Sequence, residues 1–359
     1  MKWHFTLQLA GLLLLAYGEA AGQTPSLDWL DLEATSVHQI TGVSVDGRTI
    51  VGIARDEAGR SRAFRWTAQE GVQNLGTLGG LRSKALGLSA DGAVVVGVAE
   101  DRYGRPRAFR WTAEQGMQDL GTLGGLESEA LGVSADGAVV VGVAEDRYGR
   151  LRAFRWTAEQ GMQDLGTLGG LESEALGVSA DGAVVVGVAE DRYGRLRAFR
   201  WTAEQGMQDL GTLGGNWSKA MAVSPKGTVV VGVAQDSRGR KRAFRWTAEQ
   251  GMQDLGTLGG WESEAMRVSA EETIVGLAQD QKGVWQTFYW TPESGLHKLS
   301  HGHSAFARPG VALWGVPAIS LNGQYLVGTI YHRAHHRVAV FLLDAPKLNL
   351  ALREDRDRP

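Results

Sequence analysis

The chain has 359 residues, 43% apolar and 21% charged, a globular composition rather than that of a disordered polymer. Its formal charge of −3 gives no basic footprint for nucleic acid or an anionic bilayer, and the absence of cysteine excludes disulfides, thiolate metal centres and a Cys nucleophile. Gly, with 50 residues, runs at about double its usual share and announces many tight turns.

Met1-Lys2 opens the chain, an apolar run through Leu12-Leu13-Leu14-Leu15-Ala16 follows, and small residues stand at Gly18, Ala20, Ala21 and Gly22. A positive start, a short apolar core and a small-residue exit predict a secretory signal peptide over 1–22, removed between residues 20 and 23. Gln8 and Gly11 interrupt the run, which is short for a membrane span. A secreted or periplasmic protein is expected, with no membrane insertion after cleavage.

Beyond it lies a repeat. Trp66, Trp111, Trp156, Trp201 and Trp246 are spaced by 45 residues, and Trp290 follows after 44. Residues 118–162 recur without change as 163–207. A fixed period of this length signals a repeat architecture. In one unit, Ala130–Ser134 reads as a short strand, Asp136-Gly137 as a hairpin turn and Val139–Ala144 as a β-branched strand. Glu145–Arg150 is a polar loop, Arg152–Trp156 alternates polar and apolar as a third strand, and Glu159-Gln160-Gly161 turns into a fourth strand, Met162–Leu165. No window has a helical period. Four antiparallel strands in about 45 residues is the size of a propeller blade.

Second strands carrying a central Gly recur at Gly52, Gly97, Gly142, Gly187, Gly232, Gly276 and Gly328. The expectation is therefore an all-β, seven-bladed β-propeller over residues 27–343, with repeats beginning near 40, 85, 130, 175, 220, 265 and 316. The seventh unit ends after its third strand, Val338–Leu342, while Leu27–Leu32 reads as a fourth strand with no predecessors. The N-terminal strand is expected to complete the last blade, leaving 345–359 as a polar tail. An open β-solenoid accounts for the period equally well. It does not account for two terminal fragments that complement each other. The recurring Phe and Trp read as core between blades; a sugar-stacking role for the Trp suits mid-strand positions poorly.

The runs Arg-Ala-Phe-Arg-Trp-Thr and Gly-Met-Gln-Asp-Leu-Gly-Thr-Leu-Gly-Gly, at Arg107 to Gly125 and in later copies through Gly260, resemble the extracellular HAF-repeat family. The resemblance covers about residues 40 to 300, with a degenerate continuation to 343. It implies export and a repeat β fold, and no established activity. Arg62, Arg107, Arg152, Arg197 and Arg242 replace the family's His, so no role of that histidine carries over.

Two features stand out as candidate sites. Glu100, Asp101, Arg102 and Arg105 in the loop after the second strand, with Glu127 and Glu129 in the connection between blades, would recur around one face as a rim of mixed charge. Such a rim could hold a protein or polysaccharide, contribute carboxylates to calcium, or be solvated loops with local ion pairs. The rim lacks the ligand spacing of a known calcium loop. The second feature breaks the repeat: six of the eight histidines fall after residue 296. His301 and His303, in the connection between the last two blades, and His332 and His335, in a loop on the same face, could form a zinc, copper or nickel site. With Arg308, Arg333 and Arg337 they could form a pH-responsive patch, or they could be polar loops of a divergent blade. Enzyme signatures are absent from the sequence. A monomeric binding scaffold without cofactor, with protein or polysaccharide as ligand, is expected. A propeller-type hydrolase or lyase with a site from the loops of the last two blades is the alternative.

Overall fold

The computed structural model describes residues 27–30, 37–299, 311–332 and 337–344, and side chains within 37–299 and 317–328. The proposed signal peptide and C-terminal tail lie outside them. Every regular element among the described residues is a β-strand, and the strands form four-stranded antiparallel sheets. Six sheets are each one contiguous stretch: 37–74, 79–119, 124–164, 169–209, 214–254 and 259–298. The remaining sheet is composite, ordered Leu27–Leu30, Arg337–Asp344, Tyr325–His332 and Val311–Ile319. In it Leu27 faces Leu343, Trp29 faces Phe341 and Leu30 faces Val340. The expected seven repeats thus divide into six contiguous blades and one sheet assembled from both ends of the chain. The fold is an all-β propeller.

The first strand of each sheet is innermost, because residues 41–43, 86–88, 131–133, 176–178, 221–223, 267–268 and 318–319 line one central cavity. This strand starts earlier than the sequence suggested. In the third blade it spans Gly124–Val133, so Glu127 and Glu129 are strand residues and not a loop. The period-2 signal was hidden by two irregularities, between Gly124 and Ser128 and between Ala130 and Gly132. The second makes Leu131 a bulged extra residue. The second strand likewise runs on to Asp146, which shortens the predicted polar loop to residues 147–150.

The hairpin between these strands is not the two-residue turn expected at Asp136-Gly137. Ser134 N donates to Val139 O, Ser134 Oγ donates to Asp136 Oδ1 at 2.6 Å, and Val139 N donates to Ser134 Oγ. Only Gly137 has positive φ, +73°, so a longer loop built on a buried serine replaces the two-glycine-like geometry of a primed turn. In the sixth blade Glu272 holds that position at φ 56°, the only non-glycine with positive φ among the described residues. Its carboxylate accepts from Arg245 Nη2 at 2.6 Å, whereas the matching Arg155 donates to Gly182 O.

Blades pack by a size alternation on the third strand. Ala153 and Phe154 are adjacent and both fully buried, because the two faces of this strand meet different neighbours. Phe154 joins Val94, Val96 and Ala108 of the preceding blade, and Ala153 joins Phe199 of the following one. Trp156 and Trp201 are half-buried at the edges of these clusters. Phenylalanine, rather than tryptophan, is therefore the centre of the core. Buried serines join the same interfaces: Ser128 Oγ accepts from Ala108 N of the previous blade at 3.0 Å and donates to Gly121 O at 2.6 Å, repeated at Ser83, Ser173, Ser218 and Ser263.

A circuit of hydrogen bonds surrounds the axis at the end of the inner strands. Val45 N donates to Ala90 O, Ala90 N to Ala135 O, Ala135 N to Ala180 O, and Ala180 N to Pro225 O, each at 2.9 Å. Pro225 has no N–H to continue the series. Ala270 N then donates to Leu321 O at 2.8 Å, and Asn322 Nδ2 donates to Val45 O at 2.9 Å. The composite sheet is thus bonded to the first and the sixth blades.

Candidate functional site

The loops after the second strands and the connections between blades share one end of the molecule, as antiparallel order requires. There the acids of the predicted rim are engaged by the main chain of the scaffold. Glu100 and its copies Glu145 and Glu190 accept the main-chain N–H of Leu81, Leu126 and Leu171 at 3.0–3.1 Å, and so clamp the start of the inner strand of their own blade. Asp101 Oδ1 accepts Tyr103 N at 2.8 Å and Arg105 N at 3.0 Å, folding the loop back on its own carboxylate. Both acids serve the scaffold. Glu127 is exposed on the inner strand and Glu129 half-buried.

Arg102 and Arg105 remain at the surface, together with a residue the rim prediction left out. Tyr103 is 63% exposed, with the guanidinium carbons of Arg102 and Arg105 at 4.7 and 5.1 Å from its ring centre. Tyr148 repeats this with Arg147 and Arg150 at 4.9 and 5.2 Å, and Tyr193 with Arg192 and Arg195 at 4.8 and 4.9 Å. In the fifth blade the loop has no tyrosine, and Arg240 stacks instead on Trp261, 64% exposed in the next connection. Leu81, Leu126 and Leu171 stand exposed between these groups. The signal in the sequence was the recurrence of an aromatic ring between two arginines in a loop, where burial cannot be its purpose.

The arginines that open the third-strand Arg-Ala-Phe runs have a different task. Arg107 pairs with Asp119 on the outer strand at 3.1 Å, as Arg152 does with Asp164 and Arg242 with Asp254. Arg107 and Arg152 also reach the carbonyls of Leu126 and Leu171. They bind one blade to the inner strand of the next.

The loop aspartates are depressed in pKa. At Asp236 the main-chain N–H of Arg240 is the largest cause, and its guanidinium, 2.7 Å away, adds to it, holding the carboxyl at about 2. Burial acts to raise Asp191, but the Arg195 side chain and the loop N–H groups outweigh it and leave it also at about 2. Each binds a proton more weakly folded than unfolded, so its contribution is complete above the ordinary value of 3.8 and is lost as pH falls towards 2. The melting temperature should therefore drop between pH 4 and 2, and drop less in the Asp191→Asn, Asp236→Asn double variant; calorimetry showing equal slopes for both proteins would refute this assignment.

His301, His303 and His335 lie outside the described residues. His332 ends its strand opposite Arg337. His297 sits elsewhere, on the outer strand of the sixth blade, its ring stacked on Tyr289 at 5.5 Å and its Nε2 2.7 Å from Ser294 O. Among the described residues no three His, Asp or Glu gather as metal ligands, and no helix is long and apolar enough to cross a membrane.

The chain matches no protein-family model and no curated protein. Solved structures resemble it in fold alone. A puromycin hydrolase S511A mutant complexed with PGG aligns over 87% of this chain and 52% of its own, at 18% identity and TM-score 0.58. The β-propeller domain of the Trilobed protease from Pyrococcus furiosus, described as having an open velcro topology, aligns over 85% and 95%, at 9% identity and TM-score 0.58. The Porphyromonas gingivalis dipeptidyl peptidase 4 aligns over 88% and 53%, at 11% identity and TM-score 0.52. The chain spans about half the length of the two whole peptidases. What it shares with all three is the propeller.

Proposed function

We propose that this chain is an exported, monomeric binding scaffold whose composite sheet acts as a seventh blade, closing the ring, and whose ligand is an acidic polysaccharide. The HAF-like repeats and the leader-like N-terminus support export. One observation carries the ligand reading: three consecutive blades present the same exposed Arg-Tyr-Gly-Arg element, each guanidinium pair resting on a tyrosine ring. Identical elements at regular angular steps suit a ligand that itself repeats. Guanidinium forks favour carboxylates, and tyrosine and leucine surfaces favour the flat faces of sugar rings. Each contact is weak alone; three on one chain act together through effective concentration.

Alginate is the probe and dextran its neutral control. The chain should bind alginate, weaken with salt because the pairs are exposed, and ignore dextran. The triple variant Tyr103→Ser, Tyr148→Ser, Tyr193→Ser should lose more than about tenfold in affinity, roughly 1.4 kcal/mol. Binding unchanged in the triple variant, or no binding of alginate by the parent, would overturn the reading. The hydrolase or lyase alternative rests on loops outside the described residues; incubating the chain with alginate and counting new chain ends tests it directly.

A further inference from the structure

At one position the repeat is broken inside the channel itself. The inner strands carry Gly42, Gly87, Gly132, Gly177, Ala222 and Ala318 at equivalent places, each opposite the residue before the central position of the second strand. In the sixth blade that place belongs to Arg267, opposite Val275. The small residues are there because the inner strands converge: a Cβ on Gly177 would lie 3.2 Å from Ala222 Cα. Arg267 is exposed there and lines the channel.

The cavity it enters has a volume of about 180 Å³, room for several waters or an organic ion of comparable bulk. Its walls are main chain and largely apolar side chains, among them Leu86, Leu131, Leu176 and Met221, with Thr41 and Ser89 the uncharged polar exceptions. Among the described residues no Asp, Glu or His lines it. Arg267 Nη1 donates to Met266 O at 2.9 Å, and a guanidinium carries four further N–H donors. The side chain reaches channel water yet is ringed by protein, and that enclosure draws its pKa down from the ordinary value. A cation in such surroundings, with no acid beside it, attracts an anion far more strongly than one at the surface.

The hairpins at the same end of the channel narrow the choice. Asp46, Asp91, Asp136 and Asp181 stand there, each held ionised by a serine hydroxyl. Their repulsion grows with the charge of an anion, so a singly charged ligand whose remainder is apolar is disfavoured less than a multiply charged one. We propose that Arg267 and the lower channel form a binding site for a small monocarboxylate with an apolar tail, distinct from the rim and independent of its ligand.

The test is thermal unfolding of the full chain with hexanoate, against hexanol, hexylamine and succinate as controls. Ligand that binds only the folded chain raises the melting temperature. Hexanoate should raise it by several degrees and the three controls should not. Arg267→Gly installs the residue that four of the other blades carry at this place, so it should fold, and in it the hexanoate shift should vanish; Arg267→Lys should retain part of it. A shift of equal size in Arg267→Gly, a shift with hexanol as large as with hexanoate, or no shift in the parent overturns the proposal. The tyrosine triple variant should keep the hexanoate response, which separates this site from the rim.

Discussion

Phe154→Ala is expected to destabilise the fold by about 4 kcal/mol, the range for emptying a fully buried aromatic site. The ring has no exposure and is enclosed by Val94, Val96, Ala108, Leu120, Ala130, Val140 and Ala144. These residues come from two blades, so the cavity would lie across an interface whose alanines have no side chain long enough to refill it. Phe199 occupies the corresponding site one blade on, with Val139, Val141, Ala153, Leu165, Ala175, Val185 and Ala189 around it. The two substitutions should therefore cost the same to within about 0.5 kcal/mol, the scatter of equivalent independent sites. Urea unfolding of both variants measures this; a loss below about 1 kcal/mol for either would mean that the blades do not pack on these rings.

Gly142→Ala should cost about 3 kcal/mol or more, for a reason opposite to a cavity. The backbone here is ordinary extended strand, so no turn demands glycine. An added Cβ would instead lie 2.9 Å from Phe154 Cε1, 3.0 Å from Ala130 Cα and far inside contact distance of the Glu129 carbonyl oxygen. Backbone on one side and a packed ring on the other leave nothing flexible to give way, the condition under which overpacking is most costly. Gly149 is the control: its φ is +73° but nothing lies within 4 Å of the added carbon. Gly149→Ala should cost only the left-handed penalty, about 1 kcal/mol. Equal urea midpoints for the two alanine variants would contradict this account of why the second strand keeps its glycine.

The sequence made the blades legible because a strict period carries its own check: Trp156 and Gly142 recur with their neighbours, and strand type follows from Val139-Val140-Val141. Boundaries were less legible. A bulge adds a residue without changing composition, so Leu131 disguised the start of the inner strand and moved Glu127 and Glu129 from a loop into a sheet. The rim residues lie toward one end of the blades, but their division of labour depends on hydrogen bonds that no spacing reveals. Glu100 and Asp101 look like ligand-binding acids and turn out to hold the main chain, while Tyr148, part of the same loop, was passed over. Arg267 shows the other limit. A departure from the repeat marks a special site, and the histidines after residue 296 are the conspicuous departure, whereas a single Met-Arg in place of Leu-Gly sits in an otherwise regular strand. Its meaning appears only when the inner strands are seen to line one cavity.

The composite sheet depends on the pairing of the first strand with the last, and the absence of cysteine makes that pairing directly measurable. Trp29 and Phe341 are Cα partners in an antiparallel pair, a separation that a disulfide can span. In the Trp29→Cys, Phe341→Cys variant the two thiols are the only ones in the chain. Mild oxidation of dilute protein should give a monomeric species with both cysteines joined, seen by mass spectrometry, and a higher melting temperature that reduction reverses. Thiols that stay free, or that join only between molecules, would show that the two ends of the chain do not meet in one sheet.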